Sequence, residues 1–210
     1  MPTLLHIDSS ALFEGSVSRE VTATFRAEWE AAGGTVVYRD LAANPVPHLS
    51  AAGVTSAFLP AEQRDAEQRA AYALRDELVT ELEQADAVVI GAPMYNFTVP
   101  SSLKAWIDQV VLFGRTAGAT KSAAGTPVVV VASRGGSYAA GSPRADFEFA
   151  TTYLEKTLTE LLGLRVDLVV PEFTMAKVNP AMAEFVDAAE ASKTKAHQDA
   201  AAKAKELAKA

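Results

Sequence analysis

The chain has 210 residues, of which 49% are hydrophobic and 21% charged, a composition typical of a globular protein with one substantial core. Its net charge of −7 argues against binding to nucleic acid or an anionic membrane, since both need clustered lysine and arginine. The absence of cysteine excludes disulfides, a thiol nucleophile and thiolate metal ligands. No apolar run reaches the roughly 18 to 20 residues of a membrane span, so we expect a soluble cytoplasmic protein. We also expect no metal site.

The first part of the chain predicts alternating strands and helices. Thr3–Asp8 is a short apolar strand, and the polar loop Ser9–Ser18 leads into a helix whose apolar side chains recur every four residues. Thr35–Asp40 is predicted as the second strand. The connection Leu41–Pro60 is too polar and broken for a regular element, whereas residues 61–84 favour one long helix.

The middle of the chain supplies two more strands. Asp86–Gly91 is a continuous apolar run typical of a buried strand, and a serine-capped helix from Ser101 to about Phe113 is predicted after it. The segment Gly114–Gly125 has little apolar content, so we expect a flexible connection. Pro127–Ala132 is the most β-branched run and is predicted to be a central strand.

The last part of the chain predicts a helix over Pro143–Leu162, a fifth strand over Leu164–Val170 and a final helix from Pro180. Residues 188–210 are mostly alanine, lysine and glutamate, which predicts a solvated helix that frays. We therefore expect this stretch to be a tail of the domain formed by residues 1–187.

Five strands separated by helices predict an α/β fold in which a parallel sheet carries helices on both faces, as a three-layer sandwich. Among doubly wound sheets, five strands fit the flavodoxin-like order 2-1-3-4-5 better than the six-stranded dinucleotide fold.

Three strand-end loops carry unusual residues: Ser9–Ser18, Pro93–Pro100 and Ser133–Tyr138. They follow strands one, three and four, which are neighbours in the order 2-1-3-4-5. We expect the loops to converge on one crevice that takes a nucleotide-like ligand.

The first loop is rich in serine, with Ser9, Ser10, Ser16 and Ser18 placed just before a helix. Hydroxyls and free backbone N–H groups at a helix N-terminus bind phosphate without lysine or arginine. The alternative is that these serines only cap the helix.

The other two loops offer groups for a planar ring. Gly135-Gly136 would let backbone N–H groups approach a ligand such as a flavin closely, although two glycines are also typical of a simple turn. Asn96 matches a donor–acceptor edge such as flavin N3–H and O4. Met94, Tyr95 and Phe97 offer apolar contact to the ring, or else plug the end of the sheet.

Competing motifs are incomplete. No Gly-x-Gly-x-x-Gly follows the first strand, so Asp40 is interpreted as structural rather than as a ribose ligand. Lys121-Ser122 lacks the glycine of a P-loop, and no Gly-x-Ser-x-Gly elbow supports a serine hydrolase. His48 is interpreted as a solvated loop residue.

Several short motifs together resemble one family. They are Ser9-Ser10, Ser16-Val17-Ser18, Asp40–Pro45, Ala92–Phe97 with Leu103-Lys104, and Ser133–Gly136. On these motifs the chain resembles the FMN-dependent NADH-azoreductase and quinone reductase family of the flavodoxin-like superfamily.

The resemblance implies roles for the residues of the three loops. The FMN phosphate would be held by Ser10, with Ser9 as an additional candidate, and by Ser16, Val17 and Ser18. The isoalloxazine ring would be held by Met94, Tyr95, Asn96, Phe97, Ser133, Arg134, Gly135 and Gly136. No side chain is assigned a catalytic role, because the reacting atom would be N5 of bound FMN.

The resemblance further implies a ping-pong NAD(P)H oxidoreductase that uses NADH or NADPH to reduce quinones and azo compounds by two electrons. It implies a homodimer with its active sites at the interface. The segment Phe113–Gly125 departs from the family, because it lacks the aromatic insert that walls the substrate pocket in many members. The alternative function is a non-enzymatic flavodoxin-like electron carrier.

Overall fold

One parallel sheet forms the middle layer of the protein. In the computed structural model, which describes residues 1–209, the strands are β1 (Thr3–Asp8), β2 (Thr35–Asp40), β3 (Ala87–Gly91), β4 (Pro127–Val131) and β5 (Arg165–Val169). All neighbours are parallel and the order is β2-β1-β3-β4-β5. The predicted flavodoxin-like α/β sheet is confirmed.

The register of the three central strands aligns their carboxyl ends. Asp8 of β1 lies opposite both Asp40 and Gly91, and Gly91 lies opposite Val131. The loops that follow β1, β3 and β4 therefore start at the same level of the sheet.

Helices cover both faces of the sheet. They are α1 (Val17–Ala31), α2 (Ala51–Ser56), α3 (Ala66–Glu83), α4 (Ser101–Val110), α5 (Ala150–Lys156, continued by a π-helical turn over Thr157–Leu161) and α6 (Val186–Leu207). Apolar residues of α3, α4 and α5 pack on one face, and those of α1 and α6 on the other. None of the described helices is long and apolar enough to cross a bilayer.

Two helix predictions in the first half of the chain are wrong, and in both cases the reason is a capping residue that starts the helix. A short helix, α2, interrupts the Leu41–Pro60 connection, because the Ser50 side chain accepts a hydrogen bond from the N–H of Gly53 and starts the turn. Helix α3 begins at Ala66 rather than at residue 61. There Asp65 and Gln68 form a reciprocal capping box.

The starts of three other helices also differ from the sequence prediction. Helix α1 begins at Val17, so Ser18 lies within the helix rather than in the loop. Helix α4 has Pro100 at its N-cap without a side-chain cap, so the predicted serine cap is absent there. Helix α5 begins only at Ala150, where the Glu148 carboxylate accepts the N–H of Thr151 at 2.9 Å.

The C-terminal helix is packed rather than solvated, contrary to the sequence prediction. Ala196, Ala200 and Ala204 recur every four residues and are buried on α6, against α1 and the sheet. Their small side chains let the two helices approach closely. The predicted tail is therefore part of the core on this face, and its last residue, Ala210, lies outside the described residues.

The segment Gly114–Gly125, expected to be flexible, is anchored to α3. Arg115 forms ion pairs with Asp76 and Glu83, and the hydroxyl of Ser122 donates to the Glu83 carboxylate. These contacts lower the pKa of Glu83.

Because α6 packs closely, we expect the stability of the protein to depend on side-chain size at the buried positions of this helix. Ala200→Leu is expected to lower the free energy of unfolding by about 1 to 3 kcal/mol, because the larger side chain would overpack the α1–α6 contact. Ala191→Leu, on the exposed side of the same helix, should change it by less than about 0.5 kcal/mol. Urea unfolding curves of the two variants measure the difference, and equal stabilities would contradict the buried alanine face.

Candidate functional site

The loops that follow β1, β3 and β4 meet as predicted. The Tyr95 hydroxyl accepts the N–H of Ala11 at 3.1 Å and lies 3.3 Å from the Ser10 hydroxyl, which joins the second loop to the first. The N–H of Met94 donates to the carbonyl of Ser133 at 2.7 Å, which joins the second loop to the third. Tyr95 thus holds the neighbouring loop through its hydroxyl.

The first loop shows the capping role that was considered from the sequence for its serines. Ser16 is the N-cap of α1, and its hydroxyl accepts the N–H of Arg19 at 3.5 Å and lies 3.2 Å from that of Ser18. The first N–H groups of a helix, here those of Val17 and Ser18, have no intrahelical acceptor. Helix α1 is therefore capped by Ser16 and still offers amide donors to an anion.

The serine hydroxyls around the start of α1 are buried. Ser10, Ser16 and Ser18 are between 0% and 6% exposed, whereas Leu12 and Phe13 of the same loop are exposed.

Arg19 and Asp40 form a two-pronged ion pair beside this loop. The guanidinium donates to the two Asp40 carboxylate oxygens at 2.7 and 2.8 Å. Its hydrogen bond lowers the pKa of Asp40 to about 2, despite partial burial, with help from the N–H groups of Ala42 and Ala43. Asp40 has the structural role predicted from the sequence.

A buried polar cluster below the loop was not found from the sequence. The Asp8 carboxylate accepts hydrogen bonds from the Thr22 hydroxyl at 2.9 Å and the Tyr38 hydroxyl at 3.0 Å, and His6 Nε2 lies 3.3 Å away. Burial, together with the charge of Asp8, raises the pKa of Tyr38 to about 12. The only signal in the sequence was an acidic residue at the end of an apolar strand.

The second loop contains a tight turn with unusual backbone. Tyr95 and Thr98 exchange two backbone hydrogen bonds, at 2.9 and 3.0 Å, across Asn96 and Phe97. Both central residues have positive φ, 49° and 68°, as in a type I′ turn. Asn96 and Phe97 are exposed, so the alternative that they plug the end of the sheet is wrong for these two side chains.

The third loop uses its residues in different ways. Arg134 is buried, with its guanidinium 4.0 Å from the Glu148 carboxylate and near the Tyr138 ring. Burial raises the pKa of Glu148, but hydrogen bonds from Thr151 and the charge of Arg134 bring it below its ordinary value. The Arg134 side chain therefore lies between the Glu148 carboxylate and the Tyr138 ring.

The two glycines of the third loop are not equivalent. A Cβ at Gly135 would lie 2.8 Å from the Met175 side chain, whereas one at Gly136 would meet no atom within 4 Å. Gly136 therefore leaves its side of the backbone open to a ligand.

A segment after β5, which sequence reasoning missed, completes this side of the site. The N–H groups of Thr174 and Met175 donate to the carbonyls of Arg134 and Gly135 at 3.1 and 3.3 Å. No local pattern in the sequence signals this pairing, because it joins residues about 40 positions apart.

A cavity of about 750 Å³ opens between the third loop and this segment. It is lined by Gly135, Gly136, Ser137, Tyr138, Ser142, Pro143, Arg144, Phe173, Met175, Asn179, Ala181, Met182 and Phe185. Its wall is largely apolar and does not include residues 114–125.

Comparisons with known proteins show the family of the chain. The sequence profile described as a flavodoxin-like fold matches residues 2–208. An FMN-dependent NADH:quinone oxidoreductase of Streptomyces coelicolor is 58% identical over 99% of this chain and 96% of its own length. One of the same description from Streptomyces avermitilis is 57% identical over 99% of this chain and 98% of its own length.

A solved structure has a similar overall fold. The crystal structure of an azoreductase from Bacillus anthracis superposes with a TM-score of 0.83, at 26% sequence identity, over 98% of this chain and 100% of that one.

Proposed function

Because this chain belongs to the flavodoxin-like family and matches FMN-dependent NADH:quinone oxidoreductases over nearly its whole length, we propose that it is an enzyme of the same activity. It uses FMN and NADH to reduce quinones, and azo compounds are a second class of acceptor. The observation that carries the proposal is the meeting of the three loops at the carboxyl ends of β1, β3 and β4.

The residues present fit FMN. The uncommitted amides at the start of α1 suit its phosphate, and the open side of Gly136 allows a ring to approach the backbone. Ser10, Ser16, Val17 and Ser18 would hold the phosphate. Met94, Tyr95, Asn96, Phe97, Ser133, Arg134, Gly135 and Gly136 would hold the ring, with Tyr95 and Arg134 acting largely through the loops they support. When bound, FMN supplies the redox chemistry by accepting and passing on two electrons.

The protein itself contributes position and electrostatics. Backbone N–H groups of the third loop stabilise negative charge on a ring held against them, which requires no ionisable side chain. No side chain is therefore assigned as an acid or base. The apolar cavity beside Gly136 gives planar acceptors a place to stack, and such pockets discriminate weakly between substrates.

The assembly we propose is a homodimer. An aromatic patch formed by Phe97, Phe147 and Phe149 is exposed beside the site, and the rings of Phe97 and Phe147 lie 5.0 Å apart. Exposed apolar patches of this kind are typical of protein interfaces. A second copy seated on the patch would put both active sites at the interface.

We place the protein in the cytoplasm, where NADH, the donor named for its relatives, is available. Immunoblotting of fractionated cells tests this location, and recovery in an extracellular or envelope fraction would contradict it.

The activity is tested with FMN-loaded protein under argon. Addition of NADH should bleach the oxidised flavin band within seconds, and a following equivalent of benzoquinone should restore it. Absence of bleaching within minutes would contradict the reductase and favour the one-electron carrier.

Gly136 offers a test of ring placement. Gly136→Val should weaken FMN binding about tenfold or more, because the new side chain would occupy the open approach to the backbone. Folding should be unaffected, since no protein atom lies in its way. Gly135→Val is less informative because it would also displace Met175. Ala139→Val, on an exposed position of the same loop, is the control, and equal FMN affinities measured by fluorescence quenching would refute the placement.

The homodimer is tested by sedimentation equilibrium. The wild-type protein should have twice the mass of the chain, and Phe149→Ser should raise the dimer dissociation constant about tenfold or more. Phe58→Ser, which removes an exposed phenylalanine that is not one of the three patch residues, should leave it unchanged. A monomeric wild-type protein would rule out this assembly.

A further inference from the structure

The loop predicted to bind phosphate carries no basic side chain. Between Ser9 and Ser18 there is no lysine or arginine, and Glu14 adds a negative charge in a chain whose net charge is −7. The nearest arginine along the chain, Arg19, has its guanidinium committed to Asp40. Anion binding by amides and hydroxyls therefore depends on how well the loop is held in place.

Arg19 contacts this loop at two points while it is paired with Asp40. Its Nη2 donates to the carbonyl of Ser10 at 2.7 Å, and the Phe13 ring lies 5.1 Å from its guanidinium carbon. Apart from the hydrogen bond between the N–H of Ala11 and the Tyr95 hydroxyl, residues 11–15 are exposed and add no side chain to the core. A segment with so few buried contacts would sample other conformations without this attachment.

Asp40 is itself fixed from the other side. Its carboxylate accepts the N–H groups of Ala42 and Ala43 at 3.0 and 3.1 Å. The ion pair therefore links the first loop to the end of β2 and to the first turn of α1. The geometry requires the planar fork of arginine, because one guanidinium serves two carboxylate oxygens and a carbonyl together.

We propose that Arg19 is a positioning residue for the cofactor phosphate: it holds the first loop in the phosphate-binding conformation without touching the phosphate. This inference rests on the proposed FMN-dependent function. It assigns to Arg19 and Asp40 a part in FMN affinity that follows from their hold on the carbonyl of Ser10.

The first experiment compares FMN with riboflavin, which lacks the phosphate. Arg19→Met should weaken FMN binding about ten- to a hundredfold and change riboflavin binding by less than about twofold. Arg19→Lys should not restore FMN affinity, because an ammonium group lacks the fork. Arg165→Met is the matched control, since it removes an arginine that donates to the loop carbonyl of Gly125 at 2.8 Å, far from the site.

Four results would overturn the proposal. They are unchanged or tighter FMN binding by Arg19→Met, an equal loss for FMN and riboflavin, rescue by lysine, or the same loss in Arg165→Met. If Arg19→Met does not fold, Asp40→Asn replaces it, because it weakens the same pair at the other partner. Thermal unfolding of each apoprotein establishes that the compared variants are folded.

Hydrogen exchange of the apoproteins separates this inference from the proposed function. In Arg19→Met, the amides of residues 11–15 should exchange at least about tenfold faster than in wild type, while those of α6 stay unchanged. Equal exchange in the loop would refute the positioning role even if FMN binds. Wild-type protein that binds no FMN would refute the proposed function, and faster exchange in the variant would still show that Arg19 holds the loop.

Discussion

Burial of the Asp8 carboxylate is the constraint on which the functional end of the sheet depends. A charge buried without partners is very costly, so the surrounding elements must supply donors to it. Thr22 of α1 and Tyr38 of β2 do so, while β3 must have glycine at position 91, because a Cβ there would lie 2.5 Å from Asp8 Oδ1. The ends of β1, β2, β3 and the start of α1 are thereby fixed relative to one another, and the first loop departs from this point.

The sheet and the convergence of its loops were predictable from the sequence for a physical reason. Each strand is a short apolar run bounded by polar or glycine residues. Parallel strands are joined by crossover connections, and these are right-handed in nearly all proteins. Once the order is 2-1-3-4-5, the loops after β1, β3 and β4 must share one edge. From the sequence alone, local features such as Gly135-Gly136 and Asn96 could then be interpreted as candidate ligand contacts.

The errors arise where the decisive contact is either a single side chain or distant in sequence. Helix α2 depends on one hydrogen bond from Gly53 to Ser50, and α5 starts where the Glu148 carboxylate accepts the N–H of Thr151. The pairing of Met175 with Gly135 joins distant segments that share no pattern. An alanine-rich composition is compatible with a solvated helix and equally with close packing. The burial of one face of α6 therefore depends on α1 and the sheet, and the composition of the helix alone does not indicate it.

The turn at Asn96 and Phe97 has a consequence for the thermodynamics of binding. A bulky aromatic residue in the left-handed region is uncommon, and such backbone persists only when the surrounding contacts over-determine it. The cost of ordering this segment is then met during folding, so a ligand that docks on it loses little conformational entropy. Affinity for a flat molecule would in this way be favoured by rigidity that already exists in the free protein.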